Sequence, residues 1–323
     1  MKLNRISVGV DFSAGSLAAI RVARRIGARG TLIRLVHVID SAVFFRGPNY
    51  GDPMVIERLL ADMIKGAKAE LEVFAEELRV GGFQVELDVR VGRPAEDIQE
   101  AAIGTSMLVV GTHGRGFLGR VLIGSTAEEL ARRSVVPVLV VRESADKPIE
   151  RILVAVDPTG PCHDAIVAAG ALSDRLGVPL EAIHAANLPP VLPYSSPGAL
   201  EEMQKILEAH LESAPKLVKG TFEKILGRPV KVHVVTGSPA HEIAKHARPS
   251  DLIVCGTHGR SALGRLVFGS VATKLLREAP GPILVVRPAE DESSRDELDT
   301  ARTGATPVAG VRLAGPPRPI SKS

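Results

Sequence analysis

The sequence predicts an α/β protein made of one domain written twice, each copy a parallel sheet with helices on both faces. Three observations carry this. Short β-branched and aliphatic runs alternate with helical patterns as far as Pro288. Most of the strand runs are continuously apolar, as in strands buried on both faces, and strands separated by helices form parallel crossover units. Four sequence blocks recur in the same order at an offset of about 145 residues.

The recurring blocks define the copies. "RISVGVDFS" (Arg5–Ser13) returns as "RILVAVDPT" (Arg151–Thr159), and "VGRPAEDI" (Val91–Ile98) as "TGSPAHEI" (Thr236–Ile243). "SMLVVGTHGRG" returns as "DLIVCGTHGRS", and "VPVLVVRE" (Val136–Glu143) as "GPILVVRP" (Gly281–Pro288). The domains are expected at residues 1–143 and 149–288, joined by the polar linker "SADK". Residues 289–323 are charged at first, then rich in Gly, Pro and small residues, and are expected to be a disordered tail.

The elements of the first copy follow in order. "ISVGVD" is the first strand, after which the pattern turns helical over Ser13–Gly27. "TLIRLVHVI" is the second strand. The second helix covers Met54–Val80, where Ile56, Leu59, Leu60, Met63, Ile64, Ala67 and Leu71 keep the spacing of a core-facing stripe. "VELDVRV", a helix over Ala95–Ala102, "MLVVGT", a helix over Ser125–Ser134 and "PVLVVR" complete the copy. Right-handed crossovers leave few topologies for such a sheet.

Composition narrows the function classes. At 323 residues the chain can bury two cores, and with Trp absent these are built from Val, Ile, Leu and Ala. A net charge of +3, without a Lys/Arg-rich run or an aromatic-studded basic strip, argues against nucleic-acid binding. No run has membrane-spanning length, and "MKLNRISVGVDFS" lacks a signal-peptide core, so a cytoplasmic location is expected. The two cysteines, Cys162 and Cys255, fit no disulfide framework and no zinc spacing. Cys255 reads as a small core residue and Cys162 as a surface or packing residue.

The stretch most faithfully repeated is a loop. "GTHGRGFLGR" and "GTHGRSALGR" agree at eight of ten positions, whereas the long helices share little wording. It starts at the carboxyl end of the fourth strand and ends where the last helix begins, which is where open parallel sheets bind ligands. Glycines bring backbone N–H groups close to an anion, and Gly124-Ser125 and Gly269-Ser270 deliver a helix N-terminus to it. Arg115, Arg260, Arg120 and Arg265 are available to neutralise phosphate charge. A structural reading stands beside this one. "STAE" (Ser125–Glu128) has the form of a capping box, in which Ser125 would do nothing but cap its helix. With sheet order 3-2-1-4-5, Asp11 faces Gly111 and Asp157 faces Gly256. No GxxxxGK[ST] is present, and the first strand is not followed by GxGxxG.

The spacing Gly111, Gly114, Gly124-Ser125, repeated as Gly256, Gly259, Gly269-Ser270, resembles the G-2x-G-9x-G-(S/T) signature of ATP-binding universal stress proteins. The whole chain except its tail resembles a tandem member of that family. The resemblance implies two Rossmann-like domains of strand order 3-2-1-4-5 that pair through their last strands, with further homodimerisation of the chain. It implies an ATP site in each domain, with or without Mg²⁺, and no catalytic residues or resident metal. The first site would comprise Asp11, Val38, Val110, Gly111, His113, Gly114, Arg115, Gly124, Ser125 and Thr126. The second would comprise Asp157, Ala185, Cys255, Gly256, His258, Gly259, Arg260, Gly269, Ser270 and Val271. Differences such as "VDFS" against "VDPT", and Val38 against Ala185, set the two apart.

Two roles follow from these sites. One is a nucleotide-dependent regulator acting through an unknown protein partner. The other is a weak ATP hydrolase or nucleotidyl transferase, with His113 and His258 as acid–base groups and Asp11 and Asp157 holding a metal. A third reading makes the loops relics in an interaction module. His37 and His184, in apolar company, read as core or rim histidines, and His163, His210, His233, His241 and His246 show no metal spacing.

Overall fold

A computed structural model describes residues 3–42, 53–112, 123–142, 147–158, 160–186, 197–257 and 268–288. The first copy comprises β1 (Arg5–Gly9), α1 (Ala14–Ile26), β2 (Leu32–Asp40), α2 (Pro53–Val80), β3 (Gln84–Gly92), α3 (Pro94–Ala101), β4 (Met107–Gly111), α4 (Ser125–Arg133) and β5 (Val138–Val141). The second comprises β6 (Arg151–Ala155), α5 (His163–Leu176), β7 (Leu180–Ala186), α6 (Pro197–Leu226), β8 (Lys231–Thr236), α7 (Pro239–His246), β9 (Asp251–Gly256), α8 (Ser270–Glu278) and β10 (Ile283–Val286). The tail lies outside the described residues.

The strands form one sheet in the order β3-β2-β1-β4-β5-β10-β9-β6-β7-β8. Within each half all neighbours are parallel, and the order is the expected 3-2-1-4-5, mirrored in the second half. The halves join where β5 and β10 pair antiparallel, Leu139 opposite Leu284 and Val140 opposite Ile283. The last strands therefore pair within the chain, as the resemblance implied.

One core layer runs the length of the sheet on the face covered by α1, α2, α5 and α6. It includes Ile6, Leu35, Leu139, Leu284 and Phe222, all essentially inaccessible to solvent. The other layer, under α3, α4, α7 and α8, includes Val110, Val138, Val140, Ile253 and Val285. The stripe on α2 needs one correction. Ile56, Leu60, Ile64, Ala67 and Leu71 turn inward and continue through Ala75 and Leu78, but Leu59 and Met63 are exposed. They stand one position off the inward row, and including them made the expected stripe too wide.

Polar contacts frame the seam. Arg142, just after β5, donates to the carbonyls of Leu276 (3.1 Å) and Arg277 (3.0 Å) at the end of α8. Arg287, at the equivalent place after β10, donates to the carbonyl of Arg132 at the end of α4. Each half thus sends a guanidinium to the negative end of the other half's last helix, where unpaired carbonyls favour a cation. Burial pushes the Arg142 guanidinium below its usual range, yet an arginine remains charged. Arg277 adds an ion pair with Glu128 at 2.9 Å.

The second half has a buried ionic cluster at the amino ends of its strands. Arg151 bonds Asp251 at 3.1 and 2.5 Å and Glu181 at 2.6 Å. Asp251 is buried, and His233 reaches Glu181 at 2.8 Å while its ring packs 4.3 Å from that of His246. His233 and His246 are thus structural, in keeping with their lack of metal spacing. Burial alone would raise the Glu181 carboxyl, but hydrogen bonds from His233 and Arg151 outweigh it and leave the group below its usual range. Burial, with the charge of His233, lowers His246.

Two outcomes are expected. Both depressed groups bind fewer protons folded than unfolded, so their contribution is complete above the unfolded values and is lost on acidification. Melting temperature should therefore fall as pH drops from about 7 to about 4, the His246 share first and the Glu181 share below about pH 4.5. His246→Asn should flatten the upper part of that profile. At the seam, Leu139→Ala should cost about 2–5 kcal/mol in denaturant unfolding, as expected for a fully buried leucine.

Candidate functional site

In the first half, one cleft lies at the carboxyl ends of β1, β2 and β4. Its volume is about 280 Å³, and its lining includes Gly9, Asp11, Ser16, Val38, Ile98, Val110, Gly111 and Thr126. Gly124 and Ser125 complete the wall. Of the residues expected at this site, Asp11, Val38, Val110, Gly111, Gly124, Ser125 and Thr126 are brought together here. His113, Gly114 and Arg115 lie outside the described residues, as do Arg120 and, in the second half, His258, Gly259, Arg260 and Arg265. A larger hollow of about 440 Å³, lined by residues such as Asn4, Thr31 and Arg175, lies near the amino ends of β1 and β2.

The start of α4 differs from the capping box. Gly124 is the N-cap, with extended backbone (φ −63°, ψ 144°), and its carbonyl accepts the first helical bond from the Glu128 amide at 3.0 Å. Ser125 is therefore the first residue inside the helix. A glycine cap has no side chain to satisfy the amides of the first turn, so these donors and the positive end of the helix dipole remain for a ligand. Glu128, freed from a capping role, pairs with Arg277 and Arg132. The Ser125 side chain is exposed and makes no hydrogen bond among the described residues. Gly124 is positioned by its own amide, which donates to the Thr112 carbonyl at 2.5 Å, while the Thr112 amide is held by the Val141 carbonyl of β5 at 2.9 Å.

The opposite wall is the turn from β1 into α1. One oxygen of Asp11 accepts from the Ser13 amide (3.1 Å) and hydroxyl (2.5 Å), and Ser13 in turn caps α1 by accepting from the Ser16 amide at 3.2 Å. Between them Phe12 has φ +61°, a left-handed value rare for a bulky residue. Its ring packs 4.7 Å from that of His37, whose Nδ1 lies 2.8 Å from the Val10 carbonyl. That carbonyl can only accept, so Nδ1 carries the proton and His37 pins the residue before Asp11. Gly111 is required by close approach, since a Cβ there would sit 2.5 Å from the backbone of Gly15. Phe12, Ser13, Ser16 and Gly9 also shape this wall; of these only Phe12 and Ser13 fall within the block "VDFS".

The second half repeats the helix start closely. Gly269 caps α8 with φ −62° and ψ 142°, and its amide donates to the Thr257 carbonyl at 2.7 Å. Ser270 again stands exposed at the first helical position. Asp157, Ala185, Cys255, Gly256 and Val271 hold the positions equivalent to Asp11, Val38, Val110, Gly111 and Thr126. His184 repeats the role of His37, with Nδ1 3.0 Å from the Val156 carbonyl, and its Nε2 lies 2.9 Å from Nε2 of His210 on α6. Cys255 is buried, and burial pushes its thiol up to about 12, so it is inert packing. Burial also raises the half-buried Cys162 thiol.

Two cleft positions exchange volume between the halves. A Cβ on Gly9 would come within 3.1 Å of Val110 and 3.4 Å of Ile98. The second half has Ala155 in place of Gly9 and Cys255 in place of Val110, a larger residue beside a smaller one.

This fold and site define a class of tandem α/β proteins with an anion-receptive helix start in each half. The universal stress protein family model matches residues 2–142 and 148–287, and the chain belongs to that family. It is 32% identical over 294 residues to a universal stress protein of Mycolicibacterium smegmatis, covering 88% of this chain and 97% of the relative. A universal stress protein of Mycobacterium tuberculosis is 29% identical over 300 residues, covering 88% and 98%. The fold is similar to a crystal structure of a universal stress protein from Archaeoglobus fulgidus, with a TM-score of 0.60, 21% identity and coverage of 89% and 99%. Among the described residues no helix is long and apolar enough to cross a membrane.

Gly9→Ala should destabilise the first half by about 1–2 kcal/mol through overpacking against Val110. Gly9→Ala with Val110→Cys should recover most of that loss in thermal unfolding, because contacting sites are not additive.

Proposed function

We propose that this protein is a cytoplasmic, nucleotide-dependent stress regulator that binds ATP in both clefts and passes the bound state to a protein partner. The observation that carries this reading is the start of α4 and of α8. Each offers a glycine-capped first turn and an uncommitted serine hydroxyl, and the first of them walls a cleft at strand carboxyl ends. Backbone donors on a dipole end are what a polyphosphate requires, and they bind charge without needing a lysine. The apolar wall of Val38, Ile98 and Val110 suits the flat face of a base. Adenine as the base, and homodimerisation of the chain, rest on the family.

The residues present fit Mg²⁺ arriving with the phosphates. Asp11 is the one acidic side chain in the described lining, and one of its oxygens is held by Ser13. One carboxylate with phosphate oxygens and water is a sufficient shell for this ion. When bound, Mg²⁺ would offset phosphate charge. Asp11 would contact it or the ribose, and the amides of Ser125 and Thr126 would hold the phosphates.

Titration calorimetry of nucleotide-stripped protein with ATP tests the reading. Binding is expected, and Ser125→Ala with Ser270→Ala should weaken it about ten- to hundredfold, the worth of one hydrogen bond to a charged group at each site. Absence of ATP binding, or affinity indifferent to both serines, would contradict it.

A further inference from the structure

The two halves can be aligned residue by residue through their cores. Ala19, Ile20, Val22, Ala23 and Ile26 of α1 correspond to Ala165, Ile166, Ala168, Ala169 and Leu172 of α5, and all ten are buried. The same register aligns Asp11 with Asp157. On that register Ala14, the first residue of α1, corresponds to Gly160, yet α5 begins only at His163. The second helix thus starts three residues later. At 1.5 Å of rise per residue, its first turn is withdrawn by roughly 4.5 Å.

The cause is local. Phe12 reaches φ +61°, which turns the chain so that Ser13 bonds Asp11 and caps α1. Its counterpart is Pro158, whose ring fixes φ at about −65°, so the second half cannot adopt that turn. The second loop instead closes a reverse turn, the Gly160 amide donating to the Asp157 carbonyl at 3.0 Å. Gly15, whose backbone packs against Gly111, is replaced by Pro161. Ser16, which lines the first cleft, is replaced by Cys162, which ends up as the N-cap of α5 and makes no side-chain cap bond. The glycine-capped starts of α4 and α8 match, while the turns after the first-strand aspartates do not.

We propose that the clefts are unequal by construction: the first is the tight nucleotide site, the second is weaker, and the turn after the first-strand aspartate makes the difference. Phe12 is a positioning residue, acting through the orientation of Asp11 and the capped start of α1. This rests on the nucleotide reading above.

Calorimetric titration of the full chain with MgATP tests it. One ATP should bind per chain with high affinity and a second at least about tenfold more weakly. Phe12→Pro should abolish the tight site, whereas Phe12→Gly, which admits positive φ, should keep it. A role limited to packing of the Phe12 ring would be lost in both. Exchanging residues 158–162, "PTGPC", for "FSAGS" should bring the second site to within about threefold of the first. Circular dichroism and thermal melts of each variant verify folding. Two equal sites in the unaltered chain, a tight site that survives Phe12→Pro, or a loop exchange without effect on a folded variant would each overturn the proposal. Absence of any ATP binding would overturn the nucleotide reading itself.

Discussion

An isolated copy of this repeat would leave its fifth strand as an edge, with unpaired backbone groups and an all-apolar sequence facing water. The antiparallel ladder between β5 and β10 removes that edge by joining the two copies. Leu139, Leu284 and their neighbours then belong to layers that cross from one half to the other, so neither half completes its core without its partner. The guanidinium exchange through Arg142 and Arg287 exists because this pairing sets the last helices side by side. The pairing also reaches the first cleft, because Val141 of β5 holds the Thr112 amide and Thr112 holds Gly124.

The clefts are made by the ends of elements rather than by their bodies. Parallel strands stop together, and their carboxyl ends leave a gap that loops must bridge. The chain lets the last helix of each half begin there under a glycine cap. An ordinary side-chain cap would have filled the anion position from within. A glycine leaves the donors turned outward, where they are of use only to something that arrives.

Much of this was legible in the sequence. The four repeated blocks gave the duplication, and the apolar runs gave strands whose ends differ from those observed by one or two residues. Seven expected residues converge on one cleft in the first half. What could not be read depends on single dihedral angles or on neighbours distant in sequence. "STAE" has the composition of a capping box, and only the backbone at Gly124 shows that the helix starts one residue earlier than that box would have it. Leu59 and Met63 look like core residues by type, but the direction of α2 turns them to solvent. Nothing in "VDFS" announces a left-handed phenylalanine. "VDPT" does carry its consequence openly, since proline forbids that angle, but the meaning appears only once the first copy is seen to use it. The Arg151–Asp251–Glu181 cluster joins residues as much as 100 positions apart in sequence and has no local signature.

The seam has one further consequence. Because β5 and β10 run in opposite directions, all strands of one half point against those of the other. The first cleft and the glycine-capped start of α8, each at the carboxyl ends of its own half's strands, therefore lie on opposite rims of a single continuous sheet. A partner docked over one rim has the other glycine-capped helix start turned away from it, with the full length of the strands between.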